Sequence, residues 1–154
     1  MTADDAHSDP ARLARALIAE NSFLTLATAD ASGHPWASPV WFAARGLDLF
    51  VWASKPGARH SRHIAENPQV SAVIFNSSAA PGAGSALYLS AVAALADEST
   101  FVEALAIYNE RLLDRGLEAW DPAKLRDPAR HRLYLAVVSE AFVLDDRDER
   151  IPVR

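Results

Sequence analysis

Apolar residues follow two rhythms along this chain, one of period near 3.6 and one of period 2, and the switches between them mark out the elements. Asp9-Pro10 reads as a helix start, with aspartate as N-cap and proline at the first helical position. Leu13, Leu17 and Ile18 then form an apolar stripe that ends at Asn21. Phe23 to Thr28 reads as a strand, Asp30-Ala31-Ser32-Gly33 as a turn, and Trp36 to Ala44 as a second strand with Trp36, Ser38, Val40 and Phe42 on one face. Arg45-Gly46 turns into a third strand, Leu47 to Ala53, so short loops join three strands into an antiparallel meander.

A short polar helix follows and stops at Asn67-Pro68, because a residue before proline is driven out of helical geometry. Val70 to Asn76 and Ala86 to Leu95 are further strands, separated by a loop of Ser, Ala, Pro and Gly. Thr100-x-x-Glu103 matches a capping box for a helix with Phe101, Leu105, Tyr108 and Leu112 on its apolar side, a core stripe that ends at Gly116. Residues 117–128 read as irregular, and Arg132 to Leu144 as a long last strand followed by a charged stretch from Asp145. That strand is apolar on both faces, as in Leu133-Tyr134-Leu135-Ala136-Val137-Val138. It therefore needs cover on each side, from a barrel interior and from a helix or a second subunit. The expected fold is mainly β with helices (α+β): a six-stranded antiparallel split barrel with flanking helices that dimerises, one domain over 1–154 with tails at 1–8 and 146–154.

Composition narrows the function classes. A chain of 154 residues, half of them hydrophobic, suits one domain with a sizeable core. A formal charge of -5 argues against a general nucleic-acid binder. No apolar run reaches membrane-spanning length, and Asp4, Asp5 and Asp9 stand where a signal peptide would be basic and then apolar, so a cytoplasmic location is expected. Without cysteine there is no disulfide framework, thiolate chemistry or cysteine zinc site.

Against this acidic background Lys55, Arg59, His60, Arg62 and His63 follow one another with no carboxylate between them. The sign is wrong for the start of a helix, where the macrodipole disfavours each cation by roughly 0.3–1 kcal/mol. A bound anion would reverse that, using the free N–H groups of the first turn and the planar fork of arginine. The other reading is a solvated basic helix paired with carboxylates from elsewhere in the fold.

Other features weigh less. Gly82-Ala83-Gly84 lacks the full glycine pattern and the lysine of a phosphate loop and reads as a hairpin connection. His60 and His63 have metal-ligand spacing but no carboxylate completing a triad, so no metal is expected and His60 reads as a phosphate donor. His7 and His131 read as surface residues, and His34 sits in a turn. Trp36, Trp41 and Trp52 either fill the core or interface or line a ligand, and Trp120 is either a lid or a loop anchor.

The order strand, Gly-x-Pro turn, strand, strand, basic helix, Asn-Pro, strand resembles the FMN-binding split β-barrel family typified by pyridoxamine 5′-phosphate oxidase. The motif Gly33-His34-Pro35-Trp36-Ala37-Ser38-Pro39-Val40-Trp41-Phe42 is similar to the family's second-strand motif. Phe50 to Phe75 can be laid on its third strand, phosphate helix and fourth strand, with Ile64, Asn67-Pro68 and Val70-Ser71 in step. The resemblance implies that Ser38, Pro39, Val40 and Trp41 line a flavin and that Trp52, Ala53 and Ser54 approach its ring and ribityl chain. It also implies that Arg59 and His60 replace an Arg-Lys pair on the FMN phosphate, with the pocket built across a homodimer.

Departures accompany the matches. Ser38 and Ala43 stand where the oxidases carry arginine and lysine, the family's flavin-holding glutamine is replaced near Ala86, and Arg132-Leu133-Tyr134 only partly echoes the Arg-Leu-His substrate motif. Vitamin B6 oxidation is therefore not expected. The expectation is an FMN-binding oxidoreductase acting on a small-molecule substrate, whose flavin makes a protein nucleophile unnecessary. The alternatives are a barrel using the deazaflavin F420, whose phosphorylated tail would also want Lys55, Arg59 and Arg62, and a non-catalytic barrel binding flavin or haem.

Overall fold

The computed structural model describes residues 9–144 and 147–153. In chain order the elements are α1 (Pro10–Glu20), β1 (Phe23–Ala29), β2 (Pro35–Arg45), β3 (Leu49–Ser54), α2 (Arg59–Glu66), β4 (Gln69–Phe75), β5 (Ala86–Leu95), α3 (Phe101–Asp114), a 3-10 turn (Pro122–Leu125), β6 (Arg132–Leu144) and β7 (Arg150–Pro152). The strands pair antiparallel in the order β3-β2-β1-β4-β5-β6-β7, and β3 also pairs with β6. Six strands thus close a barrel, and β7 adds to its side as a seventh.

Alternation of side chains along each strand separates two cores. Inward go Leu24, Leu26, Val40, Phe42, Phe50, Trp52, Val70, Ile74, Leu87, Leu89, Tyr134 and Val138, with Ala14 and Leu17 of α1 and Ile64 of α2 in the same cluster. Outward, Ala43, Leu49, Val51, Leu133 and Leu135 meet Phe101, Ala104, Ile107, Tyr108 and Leu112 of α3. The two-sided apolar stretch of β6 is therefore covered by a helix, and the cover ends at Val137, which is 54% exposed.

Local signals acted much as read, with four corrections. Asp9 accepts a hydrogen bond from the Ala11 N–H at the start of α1. The capping box of α3 does not form: Glu103 pairs with Arg45, and the Thr100 hydroxyl bonds to Asp97 instead of to the helix. Asp97 stands in, its carboxylate accepting from the N–H groups of Ser99 and Thr100 and its carbonyl from Phe101 N–H. β3 starts at Leu49, because the turn after Arg45 takes up Leu47 and Asp48. The stretch 117–128 is irregular except for the 3-10 turn, started by Asp121 as N-cap. The tail expected over 146–154 contains β7, held by pairs such as Val143↔Ile151, while the tail at 1–8, with His7, lies outside the described residues.

Register places the site. The C-terminal ends of β1 and β3 and the N-terminal end of β2 lie at one mouth of the barrel, and α2 packs there against β1 and β2. Ala86, with Phe75 and Leu144 opposite, lies at the other mouth. The position aligned with the family's flavin-holding glutamine is thus remote from α2. No helix among the described residues is long and apolar enough to cross a membrane.

Candidate functional site

The buried inward positions of β1, β2 and β3 nearest the α2 mouth are hydroxyl residues, Thr28, Ser38 and Ser54. They meet the polar face of α2. His60 joins two strands: its Nε2 lies 2.8 Å from Ser54 Oγ and its Nδ1 3.2 Å from Ser38 Oγ. One turn on, the Nδ1 of buried His63 lies 3.1 Å from Thr28 Oγ1. Polar groups taken from water need partners, and these pairs let a helix with little apolar surface plug a hydrophobic barrel. Burial first, then the charge of neighbouring His63, hold the His60 imidazole below its ordinary pKa. A ring so kept neutral, with each nitrogen facing a hydroxyl, is a strut between β2, β3 and α2.

The arginines of α2 point the other way. Arg59 lays its guanidinium over the Trp36 ring, 4.2 Å from the centroid, and Arg62 donates to the Gly57 carbonyl at 2.5 Å. Both line an open cleft of about 580 Å³ with Asp30, His34, Pro35, His63 and Glu66. The carboxylates of this cleft are engaged elsewhere. Asp30 accepts from the backbone of Ser32 and His34 and pairs with the His34 ring at 3.3 Å, while Glu66 accepts from Ala31 N–H. Those contacts, the His34 backbone bond first, hold the Asp30 carboxyl below its usual range. Among the described residues no ion pair involves Arg59 or Arg62, and no side chain caps the N-terminus of α2. Cations on the unfavourable end of a helix dipole, without carboxylate partners, fit an anion.

The remaining expected site residues are spread over two faces of the barrel wall. Val40 and Trp52 point inward, Trp52 fully buried and stacked 6.1 Å from Tyr134. Only their backbones face outward. Pro39 is exposed on the outer face, and Trp41 and Ala53 are half-buried beside α3, Trp41 edge-on to Tyr108 at 5.3 Å. Lys55 leaves the α2 cluster altogether and lies by His131, across the β3–β6 ladder. Trp120 is a loop anchor, since the Asn109 amide both donates to its carbonyl and accepts from its N–H. Arg132 holds its own loop, bonding Asp127 and the carbonyls of Ala129 and His131, in place of the partial substrate-motif role. His60 and His63 turn to different hydroxyls and share no metal geometry. Gly82-Ala83-Gly84 lies in the hairpin connection between β4 and β5.

Two participants went unnoticed in the sequence. Thr28 was legible as the last inward position of β1, but its partner is thirty-five residues away. Arg130 stands in the basic run Arg130-His131-Arg132, a signal eclipsed by the stronger one at 55–63.

Comparison with known proteins adds the lineage. None of the curated proteins compared matches the sequence. A heme-binding protein from Mycobacterium smegmatis superposes with a TM-score of 0.74 at 21% identity, over 96% of this chain, which spans only 58% of that protein. HutZ, the heme storage protein from Vibrio cholerae, superposes with a TM-score of 0.65 at 26% identity over 84% of this chain and 90% of its own. A Listeria innocua protein provisionally assigned as a pyridoxamine 5′-phosphate oxidase gives a TM-score of 0.63 at 19% identity, covering 87% of this chain and 97% of its own. The sequence model of pyridoxamine 5′-phosphate oxidase matches residues 11–143, which takes in the barrel from α1 to β6. The chain belongs to the pyridoxamine 5′-phosphate oxidase family.

Proposed function

We propose that this protein is an FMN-binding oxidoreductase that acts, as a homodimer, on a small organic substrate. The observation that carries the reading is the pair Arg59 and Arg62 on the first turn of α2, without an ion pair among the described residues and open to a cleft. Arginine and the oriented N–H groups of an uncapped helix are suited to a phosphate dianion. FMN, when bound, supplies the hydride and electron chemistry. The chain's own residues supply position: Arg59 is held flat by Trp36, and α2 is held by His60. Exposed Pro39 and small, half-buried Ala53 are the outer-wall positions a flat ring would lie against, and F420 would place its own phosphate on the same arginines.

The homodimer is supported by exposed apolar residues on one arc of the barrel. On β1, β4 and β5 the outward residues include Phe23, 57% exposed, Phe75, 46%, and Val92, 43%, with Ala27 and Val73 between them. Arg150 lies over the Tyr88 ring at 4.9 Å, and a second copy would cover the exposed remainder of the arc.

The names of the M. smegmatis and V. cholerae relatives favour a second reading, a haem-binding barrel. Among the described residues the rings that could serve as an axial ligand are then His34, whose Nδ1 pairs with Asp30, and His131, since His60 and His63 face hydroxyls. The absorbance spectrum of purified protein, with mass spectrometry of whatever denaturation releases, separates flavin, deazaflavin and haem. Arg59→Ala is expected to weaken FMN binding roughly tenfold or more, as for loss of a charged hydrogen bond of about 1.5–3 kcal/mol. Riboflavin, which has no phosphate, should be little affected, and equal loss for both ligands refutes the assignment.

A further inference from the structure

The positive run at 55–63 divides in the structure, and its first member joins a group the flavin reading does not use. β3 and β6 pair as far as Ser54↔Arg132, so Lys55 and His131 occupy the next register position. Arg130 precedes His131 in the chain. The His131 imidazole packs at a tilt against the Trp120 ring, centroids 5.9 Å apart, and that indole also makes an edge contact with Tyr108 at 5.7 Å. The two Asn109 bonds fix the Trp120 backbone, and its ring, packed against Tyr108 and His131, is a partly exposed wall.

Lys55 and Arg130 are exposed, and neither takes part in an ion pair among the described residues. Desolvation first, then the charges of Arg130 and Lys55, lower the pKa of His131. Like charges gathered at one place in an acidic protein oppose one another, and an anion between them reverses the sign. The chemistry of the ligand follows from the two kinds of group present. An indole face prefers a planar ring, and a guanidinium fork matches a planar carboxylate.

We propose that Lys55, Arg130, His131 and the face of Trp120 form a binding site for a small aromatic carboxylate. Lys55 and Arg130 hold the carboxylate, Trp120 stacks on the ring, and neutral His131 offers one N–H donor. This goes beyond the flavin reading by giving the substrate a chemical class, and it uses none of the groups assigned to the FMN phosphate.

Calorimetric titration with salicylate tests it, with neutral 2-hydroxybenzyl alcohol as control, on the wild-type protein and on Lys55→Gln/Arg130→Gln. Both substituted residues are exposed, so circular dichroism should show an unchanged fold. The expected result is saturable salicylate binding that falls by at least roughly tenfold, or about 1.4 kcal/mol, in the double variant and for the alcohol. No saturable binding, an unaffected double variant, or equal binding of the alcohol overturns the proposal. FMN titrated against the same two proteins reports separately: a protein that binds FMN and ignores salicylate loses this site alone. A protein that binds salicylate through these residues but takes no FMN loses the flavin reading alone.

Discussion

His60 shows how much a single side chain can be redirected by its surroundings. In the sequence it is one of a row of cations; in the fold its ring bridges Ser38 and Ser54 and is held neutral by burial and by His63. Its folded pKa lies below the 6.5 of the unfolded chain, so the native state binds fewer protons between the two values. Stability is therefore indifferent to this group above that range and is lost as pH falls through 6.5 toward the folded value. Urea midpoints should drop between pH 7.5 and pH 5, and His60→Gln should make the drop shallower; an identical slope in the variant would exclude His60 as a cause. Trp52 contrasts with it. Fully buried between Phe42 and Tyr134 in the strand ladders, it is a core residue, and Trp52→Ala should cost about 3–5 kcal/mol in denaturant unfolding.

Elements in this protein are finished by their neighbours as often as by their own caps. α1 has a good N-cap in Asp9 but no basic residue in its last turn. Its C-terminal carbonyls are met from α3 instead: Arg111 donates to Ile18 at 2.8 Å and to Asn21 at 2.9 Å, and Arg115 to Ala19 at 2.5 Å. Unpaired carbonyls at a helix end are costly, and the two cations also complement the dipole. Arg111→Leu should thus destabilise the fold by about 1–3 kcal/mol, checked by thermal or urea unfolding, and exposed Arg115→Ala should cost less. α3 has a second task through Asn109, whose amide fixes Trp120. Asn109→Ala should leave the barrel intact but open 117–128 to limited proteolysis, and unchanged cleavage would show that the 3-10 turn holds the segment alone.

The whole molecule is a barrel with three different kinds of cover. α2 plugs one mouth with polar contacts, α1 packs Ala14 and Leu17 into the inner core, and α3 lies over the outer faces of β2, β3 and β6. That leaves exposed apolar residues on the β1–β4–β5 arc, with half-buried Val73 opposite Thr25 and Tyr88 at its middle and Arg150 over the Tyr88 ring. If a second copy occupies it, Val73→Arg should convert a dimer to a monomer in light scattering while the circular dichroism spectrum stays the same. A monomeric wild-type protein, or a dimer indifferent to this change, would send the search for the interface elsewhere.

The succession of strands along the chain, the turns and the two helix starts at Asp9 and Arg59 were legible because they depend on neighbours a few residues apart, where period 2, period 3.6 and proline geometry act directly. The family was legible for the same reason, in motifs running from Gly33 to Phe75. What the sequence could not decide was partnership across the chain. Thr28 with His63, Lys55 with His131 and Arg111 with Ile18 join residues 35, 76 and 93 positions apart, and only closure of β3 onto β6 and docking of α3 bring them together. Charge type is written into each residue; whether a charge becomes a strut, a cap or an open binding group depends on which neighbours the barrel supplies.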